Sequence, residues 1–159
     1  MGTRALTILN EDDKQYAAIY RQMDGYITGH GQALKDMLHG HRLCNGFQLD
    51  MGEEWHNGIS CLAAYVVHKL KEEHLLGGIY LQPTTTPYPE AEHPRERYGY
   101  AEDDPYYVYV LQPFPAGGGD SIHLTVLVDD VTYYDGDLDL FDPEQVEKQH
   151  SNDPEGEEK

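Results

Sequence analysis

Residues 4–23, RALTILNEDDKQYAAIYRQM, decide how the rest of the chain is read. Arg4–Asn10 alternates, with Arg4, Leu6 and Ile8 on one face. Gln15–Met23 alternates too, with Ala17, Ile19, Arg21 and Met23 on one face. Alternation at period two marks half-buried strands. The four polar residues Glu11–Lys14 between them are a common hairpin loop length. That loop pairs Ile8 with Ala17, Leu6 with Ile19 and Arg4 with Arg21. Both arginines then share the apolar face at the open end of the hairpin. A slip of one residue would send Arg21 to the opposite face.

Outward from the hairpin, Asp24–Gly31 is a glycine-rich turn. A short helix is expected over Gln32–His39, with Ala33, Leu34, Met37 and Leu38 inward. Asn45-Gly46 and Asn57-Gly58 signal turns. A second helix is expected over Ile59–His74, because Ile59, Leu62, Ala63, Val66, Val67 and Leu70 recur at helical spacing. Gly77-Gly78 ends it. Ile79–Gln82, Tyr106–Gln112 and Ser121–Asp129 read as strands, and Val131–Tyr134 as an extension or an edge. The order ββααβββ predicts an α+β domain, a mostly antiparallel sheet of about five strands with two helices on one face. Pro83–Pro105 reads as a long polar loop with five prolines.

The chain divides into a body over residues 1–134 and an acidic tail over 135–159. The tail holds ten acids and two lysines and, beyond Asp142, a single large aliphatic residue, Val146. So little apolar surface cannot offset ordering entropy, so the tail is expected to be largely disordered. The whole chain has 159 residues and a formal net charge of −18. Such an excess of acid disfavours direct contact with nucleic acid or an anionic membrane, which needs clustered Lys and Arg. The longest nearly apolar stretch, Ile59–Val67, is far short of a bilayer span. The opening MGTRALTILNEDD has no apolar h-region, so a cytoplasmic protein with free Cys44 and Cys61 is expected.

Several blocks carry a resemblance: the opening Met-Gly-Thr-Arg-Ala-Leu-Thr, Tyr20–Tyr26 with Gly29-His30-Gly31, Asn57-Gly58 with Cys61–Ala64, and Gly77–Leu81. Over Met1–Leu81 the chain resembles a family of small hypothetical proteins of bacteriophage and bacterial genomes. The resemblance implies a shared fold and a viral setting, in which a host-cell cytoplasm would be the location. It transfers no activity and no catalytic residue.

The sharpest chemistry lies at the open end of the hairpin. There Arg4 and Arg21 would flank the glycine turn, and the turn leads into a helix N-terminus, which favours an anion. Gly29 and Gly31 would admit a ligand close to backbone, His30 would donate to it, and Tyr20 and Tyr26 would stack or hydrogen-bond. A nucleotide- or phosphate-like ligand fits this set. The competing structural reading pairs the arginines with Asp24, Glu53 or Glu54 and leaves the glycines to shape a turn, since an unpaired buried charge is costly.

Other constellations are weaker. His39, His41, Cys44, His56 and Cys61 lack the tight paired spacing of a zinc site, so no metal is assigned. Cys61 near a helix start, with His56 nearby, has a nucleophile reading, but a cysteine packed against the sheet is the plainer one. Glu53-Glu54 and Asp129-Asp130 are adjacent and point apart in a strand. Asp135–Asp139 opens like a calcium loop but has Leu140 where glycine is needed and Val146 where glutamate is needed. Asp137-Leu138-Asp139-Leu140-Phe141 resembles the peptide with which bacterial replication and repair proteins dock on the sliding clamp, with Asp137 in place of the usual glutamine. That resemblance makes Leu138, Leu140 and Phe141 docking anchors for a protein partner.

The leading expectation is a non-enzymatic viral or host-associated protein that binds or sequesters a small anionic ligand. No cofactor is assigned. The alternatives are an interaction protein acting through its acidic surface and tail, by clamp-like docking or nucleic-acid mimicry, and a small enzyme using His30 and Arg21.

Overall fold

A computed structural model of the chain describes residues 2–12, 14–46, 50–82, 105–113 and 120–151. The expected loop at Pro83–Pro105 lies outside them except for its last residue, as do most of the Pro113–Asp120 loop and the tail beyond Ser151. The hairpin forms as β1 (Ala5–Glu11) and β2 (Lys14–Arg21). Next come a π-helical turn (Ile27–Gly31) and α1 (Gln32–Leu38). The short strands β3 (Arg42–Cys44) and β4 (Trp55–Asn57) precede α2 (Gly58–Glu73). Then follow β5 (Ile79–Leu81), β6 (Tyr107–Pro113), β7 (Ile122–Val128) and β8 (Val131–Asp137). A 3₁₀ turn (Leu138–Leu140) and α3 (Pro143–Ser151) complete the order.

The fold is α+β. Its six-stranded sheet runs β5-β2-β1-β6-β7-β8. The sheet differs from the expectation in having six strands and in pairing β1 with β6 in parallel. β3 and β4 form a separate two-stranded parallel sheet. The parallel pair joins a β5-β2-β1 half to a β6-β7-β8 meander, a link between residues far apart that strand patterning does not report. Both central strands are buried on their two faces, which suits the runs Ala5–Leu9 and Tyr107–Leu111. One face carries Ala5, Leu9, Ala17, Ile19, Tyr109 and Leu124, and these join α1, α2 and α3 side chains in one core. The other carries Leu6, Ile8, Ala18 and Val108, with Tyr106 packed beside them.

The hairpin register is the main correction. Asn10 pairs with Gln15 as the loop length suggests, but a bulge at Leu9/Asn10 inserts Tyr16. Every pair beyond moves by one: Ile8 faces Ala18, Leu6 faces Tyr20, and Ala5 faces Arg21. A bulge of this kind places two residues opposite one. Arg21 therefore points into the helix-covered face, while Leu6 and Ile8 point to the other.

The second correction concerns the boundary at residue 135. β8 runs through it and pairs with β7 as far as His123↔Asp137. Its hairpin turns at Asp129 and Asp130, both at positive φ, the backbone of a type I′ turn. Leu138, Phe141 and Val146 then enter the core. Apolar content alone misjudged the segment, because three well-placed side chains suffice when a sheet and a helix already offer the surface.

Candidate functional site

The π-helical turn follows directly from Asp24-Gly25-Tyr26. Gly25 donates its N–H to the Thr3 carbonyl at 2.8 Å, and a Cβ there would lie 2.6 Å from the Arg4 carbonyl carbon. Tyr109 donates its hydroxyl to the Gly25 carbonyl at 2.7 Å. The turn is thus pinned to the residues that lead into β1 and to β6. It drives His30 inward, edge-on to Tyr109 with ring centroids 4.9 Å apart.

His30 is fully buried between two partners. Its Nδ1 lies 3.0 Å from Arg21 Nη1 and its Nε2 lies 2.6 Å from Thr7 Oγ1. A guanidinium only donates, so Nδ1 accepts, Nε2 carries the proton, and Thr7 accepts it. Burial, with the Arg21 charge beside it, holds the His30 pKa well below the usual histidine range, so the ring is neutral. Both ring nitrogens are engaged within the protein, which makes His30 a support for Arg21.

Arg21 is 6% exposed. Its Nε donates to the Met23 carbonyl at 2.7 Å. Burial lowers its pKa, offset by the negative charges of Asp24 and Glu73, and the guanidinium stays charged. Two of its five N–H donors are thereby committed inward. The same residue lines a polar cavity of about 550 Å³ that also takes walls from α1 and α2. Gly29, Asp36, Lys69, Glu72 and Glu73 line it with Arg21. Lys69 Nζ lies 3.5 Å from Glu72, which also meets His68 at 2.9 Å. Gln32 donates to Asp36 at 2.8 Å.

The structure brings Arg21, Gly29 and His30 of the expected set together. Arg4 is parted from them by the bulge. It lies near Tyr20, whose hydroxyl pKa is raised by burial and partly restored by the Arg4 charge. Tyr26 packs its ring against Gly29 and lies outside the cavity lining. Gly29 has a packing reason to be glycine, since a Cβ would lie 2.5 Å from the Asp24 carbonyl oxygen. Gly31 is buried under Phe141, 3.3 Å from where its Cβ would sit, and offers no backbone to a ligand. Sequence reasoning missed Lys69, Asp36, Glu72 and Glu73. They fall on the polar faces of α1 and α2, where charged residues ordinarily mean solvent.

The three docking anchors fare differently from one another. Leu138 and Phe141 are each 1% exposed, while Leu140 is 79% exposed. Lys35 Nζ donates to the Leu138 and Asp139 carbonyls at 3.2 and 2.5 Å. Asp139 accepts from Gly40 N at 2.9 Å and from Arg42 Nη1 at 2.7 Å. The 3₁₀ turn presents its apolar side to the core, which takes two of three anchors away from a partner.

His41 and His56 stack, with His41 Nδ1 and His56 Nε2 2.8 Å apart. Among the described residues no three His, Cys, Asp or Glu side chains gather as metal ligands. Cys61 is exposed and not packed against the sheet, because Ile59, Leu62 and Ala63 take the inward face of α2. Among the described residues no helix is long and apolar enough to cross a membrane. No protein-family model matches the chain, and neither curated proteins nor solved structures give a match.

Proposed function

We propose that the protein is a non-enzymatic binder of a small anionic ligand, nucleotide- or phosphate-like, held in the cleft between α1 and α2 with its anionic group toward Arg21. The observation that carries this reading is the guanidinium itself. It is buried, charged, oriented by His30 and the Met23 carbonyl, and on the wall of a polar cavity. A charge is costly to bury, and the nearby Asp24 and Glu73 offset that cost only in part, since burial still lowers its pKa. Lys69 adds a second cation to the lining. Asp36, Glu72 and Glu73 oppose a bare anion, so the ligand also carries hydrogen-bond donors or a cationic group, as a nucleobase or an amino sugar phosphate does. The viral or host-cell setting rests on the block resemblance over Met1–Leu81.

The test is a thermal-shift screen against nucleotides, cyclic nucleotides and phosphorylated metabolites. A ligand at about 100 times its dissociation constant adds roughly 2.7 kcal/mol and raises the melting point. The shift is expected to shrink in Lys69→Ala and in Arg21→Lys, which keeps the charge but loses the planar fork. No shift across the panel, or one untouched by both substitutions, would overturn the reading. Conversion of a bound ligand to product would replace it with the enzyme reading.

A further inference from the structure

A second cavity, of about 660 Å³, takes its walls from β3, β4 and the start of α2. It is lined by Cys44, Met51, Trp55, Asn57, Ser60 and Cys61, with Glu53 as its charged residue. Both cysteines of the chain therefore face one space, and both are free thiols. The parallel register sets Cys44 beside Asn57, and Cys61 follows one helical turn later. Cys44 Sγ is oriented by the carbonyls of Gly46 and His56, at 2.9 and 3.5 Å. It lies 4.0 Å from the Met51 thioether sulfur.

That separation has a coordination meaning. With metal–sulfur bonds of about 2.3 Å, two sulfurs 4.0 Å apart subtend about 120° at a shared ion. An angle of about 120° is trigonal, so one more direction is open, and Cys61 lines the same cavity. Thiolate and thioether donors together select a soft ion, Cu(I) above all. Among the described residues no lysine, arginine or histidine lines the cavity, and the chain's net charge of −18 favours any cation.

We propose that this cavity is a Cu(I) site with Cys44 and Met51 as the first two ligands and Cys61 as the third. Each cysteine loses its thiol proton to water as its Cu–S bond forms, and no electron is transferred. The site is separate from the Arg21 cleft, and its failure would leave that reading standing.

The chain's single tryptophan, Trp55, lines the cavity and reports on it. The experiment is titration of the full, reduced chain with Cu(I) under anaerobic conditions, in competition with a chromogenic Cu(I) chelator, with Trp55 fluorescence followed in parallel. One Cu(I) per chain with matching quenching is expected. Met51→Leu, a volume-conserving change, is expected to weaken binding at least tenfold, and Cys44→Ser and Cys61→Ser to weaken it further. Full affinity in Met51→Leu, or binding lost in Cys61→Ser but kept in Cys44→Ser, would reduce the site to an exposed thiol and overturn the proposal. Binding without quenching of Trp55 would place the ion elsewhere and overturn it equally.

Discussion

His30 shows what one side chain does when its surroundings fix its proton. Arg21 can only donate to it, so the Nε2–H must find Thr7. Thr7→Val removes that acceptor and keeps the shape. It is expected to cost about 1–3 kcal/mol, read from urea unfolding, because a buried donor is left without a partner. An unchanged midpoint would mean that His30 reorients to another partner. The same ring sets a pH dependence. Its folded pKa lies well below 6.5, the unfolded value, and those of His41 and His56 are lowered too, chiefly by burial. Below about 6.5 the unfolded chain takes up protons that the folded chain refuses. Stability is therefore complete above that pH and falls as the pH drops toward about 5.5, by up to about 1.4 kcal/mol per pH unit for His30 and by less for the more solvated His41 and His56. Urea melts across that window check the sign, and a flat or rising profile would contradict it. Asp139 belongs to a lower window. Burial pushes its pKa up, but the Gly40 N–H and Arg42 outweigh it, so its contribution is lost only as the pH falls through the carboxylate range.

Strand and turn geometry explains why a legible hairpin still gave the wrong neighbours. The alternation in Arg4–Asn10 and Gln15–Met23 identified both strands, and β1 and β2 form there. The one-residue bulge at Tyr16 left no trace in that pattern, since either register puts apolar residues on both faces of a sheet whose two faces both carry buried side chains. The extra residue moved Arg21 beneath the helices and left Arg4 with Tyr20. The segment Leu138–Phe141 teaches the converse. Three closely spaced apolar residues suited a partner groove, but Asp139 and Lys35 staple the 3₁₀ turn to α1 and β3. Phe141→Ala is therefore expected to cost about 3–5 kcal/mol. Leu140→Ala, at the neighbouring but exposed position, is expected to stay within about 0.5 kcal/mol. Equal small losses from both would mean that the segment detaches, and would restore the docking reading.

Across the whole molecule the charge of −18 acts as self-repulsion. Salt screens it, with a Debye length of about 10 Å at 0.1 M and about 3 Å at 1 M. The melting temperature is expected to rise with sodium chloride over that range, and a fall would mean that ion pairs such as Arg42–Asp139 outweigh the repulsion. The sequence by itself determined the α+β class, the hairpin, the long helix and the last strong strands, because local periodicity reports which face of each element is buried. It also put Arg21, Gly29 and His30 in one place, because they lie within ten residues on a strand and the turn after it. Only the tertiary structure decided the parallel β1–β6 pairing, the bulge, the burial of Leu138 and Phe141, and the joining of Lys69 and Glu73 to Arg21. Each of those depends on contacts between residues distant in the chain, whose energy is set by packing and by what each buried polar group finds opposite it.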